Sequence, residues 1–236
     1  MDITINTDRT VTLTMDKHMR DAIADAGMSI AKGATTPALK NLFDVDNEAT
    51  PLDKEQGDTF HRVVAKLLYV AKRVRPDILL TVSFLCTHVS KCNEQDWTKL
   101  KRLLSYLTVT VDMTFTLGAD SLDSIKTWVD ALYAVHPDMR SHTGGMVLMG
   151  RGGILCKSLK QKLNTKSSTQ AEVVGVSEFL PVNIWMQNFM KAQGYTIRVN
   201  KLCQDNKSVI LLETNGRGTA SAKSRHIDIK YYFVKD

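Results

Sequence analysis

A chain of 236 residues, 43% hydrophobic and 24% charged, is long enough for one large domain or two smaller ones with packed cores. Lys and Arg outnumber Asp and Glu by 31 to 25, and the formal charge of +6 suits a polyanionic partner without requiring one. The longest apolar runs fall short of the roughly 20 residues of a membrane span, the four cysteines form no C-x-x-C pair, and the polar first residues lack a signal-peptide core, so the expectation is an intracellular protein, cytoplasmic or nuclear, with no membrane partner.

Residues 3–14 alternate apolar and polar on either side of the polar run Asn6–Arg9, which predicts a β-hairpin. A short helix follows, with Asp16 at the N-cap position and Gly27 as its stop. Residues 31–55 have the Thr, Pro and acidic composition of a linker or wrapped loop. Three helical segments come next, over 58–74, 75–90 and 93–107. Pro76 suits a first helical turn, and Trp97, Leu100, Leu103, Leu104 and Leu107 share one face of the third. The helices carry basic residues, Lys66, Lys72, Arg73, Arg75, Lys99, Lys101 and Arg102, expected to grip phosphates. Residues 117–123 read as a boundary, which sets two parts, 1–118 and 123–236.

The second part changes character. Residues 124–135, 144–150 and 152–159 read as strands separated by Gly-rich turns. A long helix spans about Thr169 to Gln193 and is closed by Gly194, with Pro181 removing one backbone donor inside it. A fourth strand over 196–204 and a short helix over 206–213 lead to a glycine-rich loop and a final amphipathic segment, 225–236, read as a helix. Order and type predict an α/β fold: a mixed sheet with flanking helices, preceded by a mainly helical region.

One residue resists a bland account. In Trp128-Val-Asp130-Ala-Leu132, the acid shares a strand face with Trp128, Leu132 and Ala134, a face expected to point to the interior or a cleft. Three further acids stand in suggestive settings: Glu172 in the first turn of the long helix, Asp205 at the end of the fourth strand, and Asp228 between Ile227 and Ile229. Each has a plain alternative. Thr169 to Glu172 has the form of a capping box, Asp205 suits a helix N-cap, and Asp228 suits a solvated helix face. Together, four converging carboxylates would repel unless hard cations neutralised them, and Mg²⁺ or Mn²⁺ is the natural occupant. Lys157, Lys160, Lys162 and Lys166 cluster just before Glu172 and are expected to contact phosphates.

Residues 128–178, "CQDNKSVILLE" and "SRHIDIKYYFVKD" resemble, in the same order, the ribonuclease H domain of copia-type retrotransposon polyproteins. The segment 61–107 resembles the part that precedes it, and residues 3–27 the passage from polymerase palm to thumb. The resemblance implies a ribonuclease H-like fold with a five-stranded or similar mixed sheet over 123–236, after a thumb- or connection-like region over 1–118. It implies catalysis and metal binding by Asp130, Glu172, Asp205 and Asp228, with two Mg²⁺ ions (Mn²⁺ as substitute) cutting the RNA strand of an RNA–DNA hybrid. By motif position it adds Ser167, Ser168, Thr169 and Asn206 as nucleic-acid contacts, and other polyprotein parts as partners. His226 reads more naturally as an ordinary packed or solvent-facing histidine than as an aid to proton transfer. Two departures stand out. Asp130 is followed by Ala131, Leu132 and Tyr133, where the family carries a second acid and an aromatic, and no Tyr-x-Asp-Asp palm motif occurs. Polymerisation by these residues alone is therefore not expected, and the alternative reading is an inactive nucleic-acid-binding remnant.

Overall fold

The computed structural model describes residues 1–27, 29–30 and 33–215, and it divides into two compact units, Met1–Leu117 and Gly118 onward. In the first unit, β1 (Asp2–Ile5) and β2 (Val11–Thr14) form the expected antiparallel hairpin, with Arg9 taking a left-handed φ of 66° in its turn. The start of β3 (Phe115–Ala119) pairs antiparallel with β2, Phe115 lying opposite Leu13. That strand runs through a stretch expected to be only a boundary.

Helix α1 (Asp16–Asp25) begins one residue earlier than expected: Asp16 lies inside its first turn, and Met15 occupies the cap with no side-chain bond. Gly27, at φ 59°, follows its C-cap Ala26. Helix α2 (Lys54–Ala71) starts inside the expected linker, because Asp53 accepts a bond from the Gln56 N–H at 2.8 Å. Pro76 opens a 3-10 turn, Pro76–Ile78, that leads into α3 (Leu79–Cys86). Helix α4 (Glu94–Thr110) is held at its start by a reciprocal box between Asn93 and Asp96. Phe60, Val64, Leu67, Phe84, Leu100 and Leu104 are fully or almost fully buried between these helices.

The expected basic grip of this unit is largely committed elsewhere. Arg75 is only 1% exposed; its guanidinium donates to both Asp77 oxygens and to the carbonyl and hydroxyl of Thr110. Lys66 pairs with Asp25, Arg73 lies 3.5 Å over the Tyr69 ring, and Arg102 donates to Thr36. Lys99 donates to Gln95 and sits over Phe84. A helix face that is basic in sequence thus serves mainly its own fold, and among these seven residues Lys72 and Lys101 are exposed with no such bond among the described residues.

In the second unit, β4 (Ser124–Leu132), β5 (His142–Leu148), β7 (Gly153–Lys160) and β8 (Val199–Cys203) form a mixed sheet in the order β7-β5-β4-β8. Its pairings are antiparallel except β4 with β8, which is parallel. The fold is mixed α/β, as expected, and the sheet has four strands among the described residues, where five or a similar number were expected. A two-residue strand, β6 (Gly150–Arg151), pairs with the end of β3 at Gly118 and Ala119. Helix α5 (Ser168–Ala192) joins β7 to β8 across the sheet and is closed by Gly194 at φ 88°, and α6 (Lys207–Asn215) follows β8.

Helix α5 rests on one face of β4. Ile125, Thr127, Val129 and Ala131 are buried there, and Ile125 packs with Val147, Met149, Met186 and Met190. Gly145 permits the close approach, since a Cβ on it would lie 2.5 Å from the Trp128 carbonyl and 2.7 Å from the Phe179 ring. Asn183 of α5 donates to Thr127 and exchanges bonds with Asn200, so one amide pair ties α5 to both β4 and β8. Of the two directions expected for the other face, interior or cleft, it is not the interior: Trp128 is 55% exposed, and Asp130 and Leu132 are exposed as well. Both faces of β4 are apolar in sequence, so alternation alone did not show which one α5 covers. The strand ends at Leu132, and Ala134, with φ 52°, belongs to the turn rather than to that face.

Candidate metal centre

Asp130 points from β4 onto the open face, opposite Gly144 of β5, which puts no side chain beside it. Asp205 follows β8, the strand parallel to β4, and so falls at the same edge of the sheet. Glu172 comes from the second turn of α5, not the first as expected, and is buried, 5% exposed. One carboxylate oxygen from each of the three lies within 4.8 Å of the others. Asp130 and Asp205 open onto a groove of about 780 Å³, lined also by Trp128, Met146, Gln204 and Ile210, while Glu172 lies buried beside them. Asp228 and His226 lie outside the described residues.

The plain alternatives for two of these acids do not hold. Helix α5 is capped by Ser167, whose hydroxyl accepts from the Gln170 N–H at 3.3 Å, while the Gln170 side chain accepts from the Lys166 N–H at 2.7 Å. The capping role expected for Thr169 and Glu172 is thus taken by residues two positions earlier. Helix α6 is capped by Asn206, which accepts from the N–H groups of Ser208 and Val209 at 3.0 and 3.3 Å. Asp205 is not the cap, and its carboxylate is left to the cluster.

Glu172 accepts from the Ala131 backbone N–H and, at 3.0 Å, from the Gln204 amide. Burial pushes its carboxyl up to about 7, opposed by the Gln204 bond and reinforced by the charges of Asp130 and Asp205. Gln204, which the sequence did not single out, also accepts from the Asp205 and Asn206 N–H groups at 2.8 and 3.0 Å. A donor set made wholly of carboxylate oxygens, mutually repelling and partly dehydrated, fits a hard divalent cation such as Mg²⁺ or Mn²⁺.

The expected nucleic-acid contacts divide. Lys162, Lys166 and Ser168 are exposed. Lys160 pairs with Asp138 at 2.8 Å, and Lys157 lies 5.8 Å over the Phe179 ring. Asn206 and Ser167 spend their side-chain oxygens on helix caps, and Thr169 is half-buried.

A mixed α/β unit with a carboxylate cluster at the sheet edge is the class of protein that the fold and the site define. The chain is similar to retrovirus-related Pol polyproteins from transposons. It is 27% identical over 98% of its length to that of transposon TNT 1-94 of Nicotiana tabacum. It is 26% and 27% identical, over 95% of its length, to those of transposons RE2 and RE1 of Arabidopsis thaliana. The chain spans 18%, 15% and 15% of these relatives. No family model matches it. No solved structure matches it. No helix among the described residues is long and apolar enough to cross a membrane.

Proposed function

We propose that this chain is a ribonuclease H-bearing piece of a retrotransposon polyprotein, with a thumb- or connection-like first unit, and that it cuts the RNA strand of an RNA–DNA hybrid. The observation that carries the reading is the meeting of Asp130, Glu172 and Asp205, residues far apart in sequence, at one edge of the sheet. These three, joined by Asp228 on the resemblance alone, would hold two Mg²⁺ ions, which supply Lewis-acid stabilisation of charge at the phosphodiester.

The residues themselves do the positioning. Asp130 and Asp205 present exposed carboxylates to the groove, while Glu172 is held from behind by Ala131 and Gln204. With its carboxyl near 7, Glu172 keeps a proton part of the time at neutral pH and gives it up when positive charge arrives. Lys162 and Lys166 supply sequence-independent attraction for phosphates, and the Ser168 hydroxyl, exposed in the first turn of α5, suits a ribose 2′-hydroxyl.

The test is incubation of the full chain with end-labelled RNA–DNA hybrid, RNA duplex and DNA duplex in Mg²⁺, beside Asp130→Asn. Cleavage restricted to the RNA of the hybrid, and lost in the variant, is expected. Equal cutting by wild type and variant would remove Asp130 from the reaction. One observation favours the remnant as a second reading: Leu132, 41% exposed, stands where the family pattern carries a further acid. Hybrid that is bound by the wild type but never cut would decide for it.

A further inference from the structure

Three acids at this spacing repel one another, so something other than charge must hold them together before a cation arrives. Glu172 is the member with neutral donors on it, and both come from the immediate chain neighbours of the other two acids. The Ala131 N–H follows Asp130, and the Gln204 amide precedes Asp205. The Ala131 bond is backbone and comes with the strand. The Gln204 bond depends on one side chain.

That side chain is itself fixed. Its Oε1 accepts from the N–H groups of Asp205 and Asn206 at 2.8 and 3.0 Å, which turns its Nε2 toward Glu172 Oε2 at 3.0 Å. The bonds to its own backbone orient the amide, and the amide then spans from the β8 end to α5. A turn that needed only local satisfaction would not require the third bond. Asn206 already caps α6, so Gln204 is not needed to start that helix.

We propose that Gln204 is a positioning residue: it holds Glu172 at its working distance from Asp205, so that a divalent cation finds the site assembled. This rests on the metal-dependent reading above. Residues that orient metal ligands in this way typically account for 10–100-fold in metal affinity. Gln204 is only half-buried and packs no core, so its loss should lower the stability of the metal-free protein only by the local bonds it makes.

The experiment uses the full chain and Mn²⁺ alone, without nucleic acid. Mn²⁺ binding is measured by calorimetry for wild type, Gln204→Met, which keeps the shape and loses the amide, and Gln204→Asn, which keeps an amide one methylene too short. Thermal unfolding in EDTA is followed for the same three. The proposal expects Mn²⁺ affinity to fall about tenfold or more in both variants, with the EDTA midpoint lowered by no more than about 2–4 °C. A lowered midpoint with unchanged affinity would assign Gln204 a merely structural role and overturn it, as would a folded variant that binds Mn²⁺ within twofold of wild type. Should Met fail to fold, the Asn variant alone decides. If wild type binds no Mn²⁺ at all, the metal-dependent reading fails, an outcome distinct from equal binding by all three proteins.

Discussion

Replacing Glu172 by Gln isolates the electrostatic cost of the acid cluster. The folded protein holds this carboxyl near 7, against an ordinary 4.5, because it is buried and faces Asp130 and Asp205. Between those values the unfolded chain has released the proton and the folded chain keeps it. Stability from this group is therefore complete below pH 4.5 and is lost as the pH rises through 7. The rise corresponds to about 3 kcal/mol at pH 8 and under ~1 kcal/mol at pH 5. Gln is nearly isosteric, cannot ionise, and still accepts from Gln204 or Ala131. The variant should thus gain on wild type progressively, from under ~1 kcal/mol at pH 5 to about 3 kcal/mol at pH 8. Urea unfolding in EDTA over that pH range measures it. A Trp97→Phe background leaves Trp128 and Trp185 as reporters, both in the second unit. Saturating Mg²⁺ should then stabilise wild type by roughly 2–3 kcal/mol at a hundredfold excess over Kd, and leave the variant almost unmoved. Two stability curves that stay parallel from pH 5 to 8 would refute a tight cluster at Glu172.

Four further outcomes are expected. Asp130→Asn should lower hybrid cleavage by at least about a hundredfold, beyond the usual range for residues that only orient ligands, while its circular dichroism matches wild type and its unfolding midpoint in EDTA is no lower. His142, bonded to His136 at 3.1 Å and to Ser158 at 2.6 Å, is pushed down to about 4 by burial and by the neighbouring imidazole. Its contribution is therefore present above pH 6.5 and lost as the pH falls toward 4, so His142→Gln should flatten the acid limb of a stability–pH curve by up to about 3 kcal/mol. Replacing Lys162 and Lys166 together by Ala should flatten the salt dependence of hybrid binding by a slope of nearly two, at about 0.9 per phosphate contact; an unchanged slope in a binding series would remove both from the interface. Asn206→Ala should cost about 1 kcal/mol in urea unfolding through loss of the α6 cap, whereas Asp205→Asn should cost none in EDTA.

The fold was legible where local signals and packing agree, and illegible where a partner strand or a cap decides. The apolar spacing of Leu100, Leu103, Leu104 and Leu107 placed α4, whose start is written in Asn93 and Asp96. The start of α2 was misplaced because the Asp53 cap lies in a stretch rich in turn-forming residues. The two-residue β6 has no periodicity to read and exists through its pairing with Gly118 and Ala119. The acid at 130 stands out because it shares a face with Trp128 and Leu132; of the two directions expected for that face, interior or cleft, the structure shows the cleft, and the face α5 covers carries Val129 and Ala131. Sequence shows that a strand has two apolar faces; which one is covered is a property of the helix laid across it. Charge reads in the same way: Arg75 looks like a phosphate contact until its burial beside Asp77 is seen.

What frees the acids for other work is the division of labour along short stretches of chain. In Ser167–Glu172 the capping bonds fall to Ser167 and Gln170, and in Gln204–Ser208 to Asn206. Glu172 and Asp205 therefore each have a polar neighbour that performs the structural task the acid would otherwise perform. An acid used as a cap would have its oxygens turned to backbone N–H groups and away from the groove. Glu172 and Asp205 are instead turned toward Asp130, at a cost visible in the raised Glu172 carboxyl. Structural demands alone would not keep three carboxylates in this arrangement, since a valine at 130 and a glutamine at 172 would relieve the repulsion without disturbing a cap. The arrangement makes physical sense when a cation completes it, and the pH dependence of the Glu172→Gln variant measures how much repulsion the protein tolerates to keep that place ready.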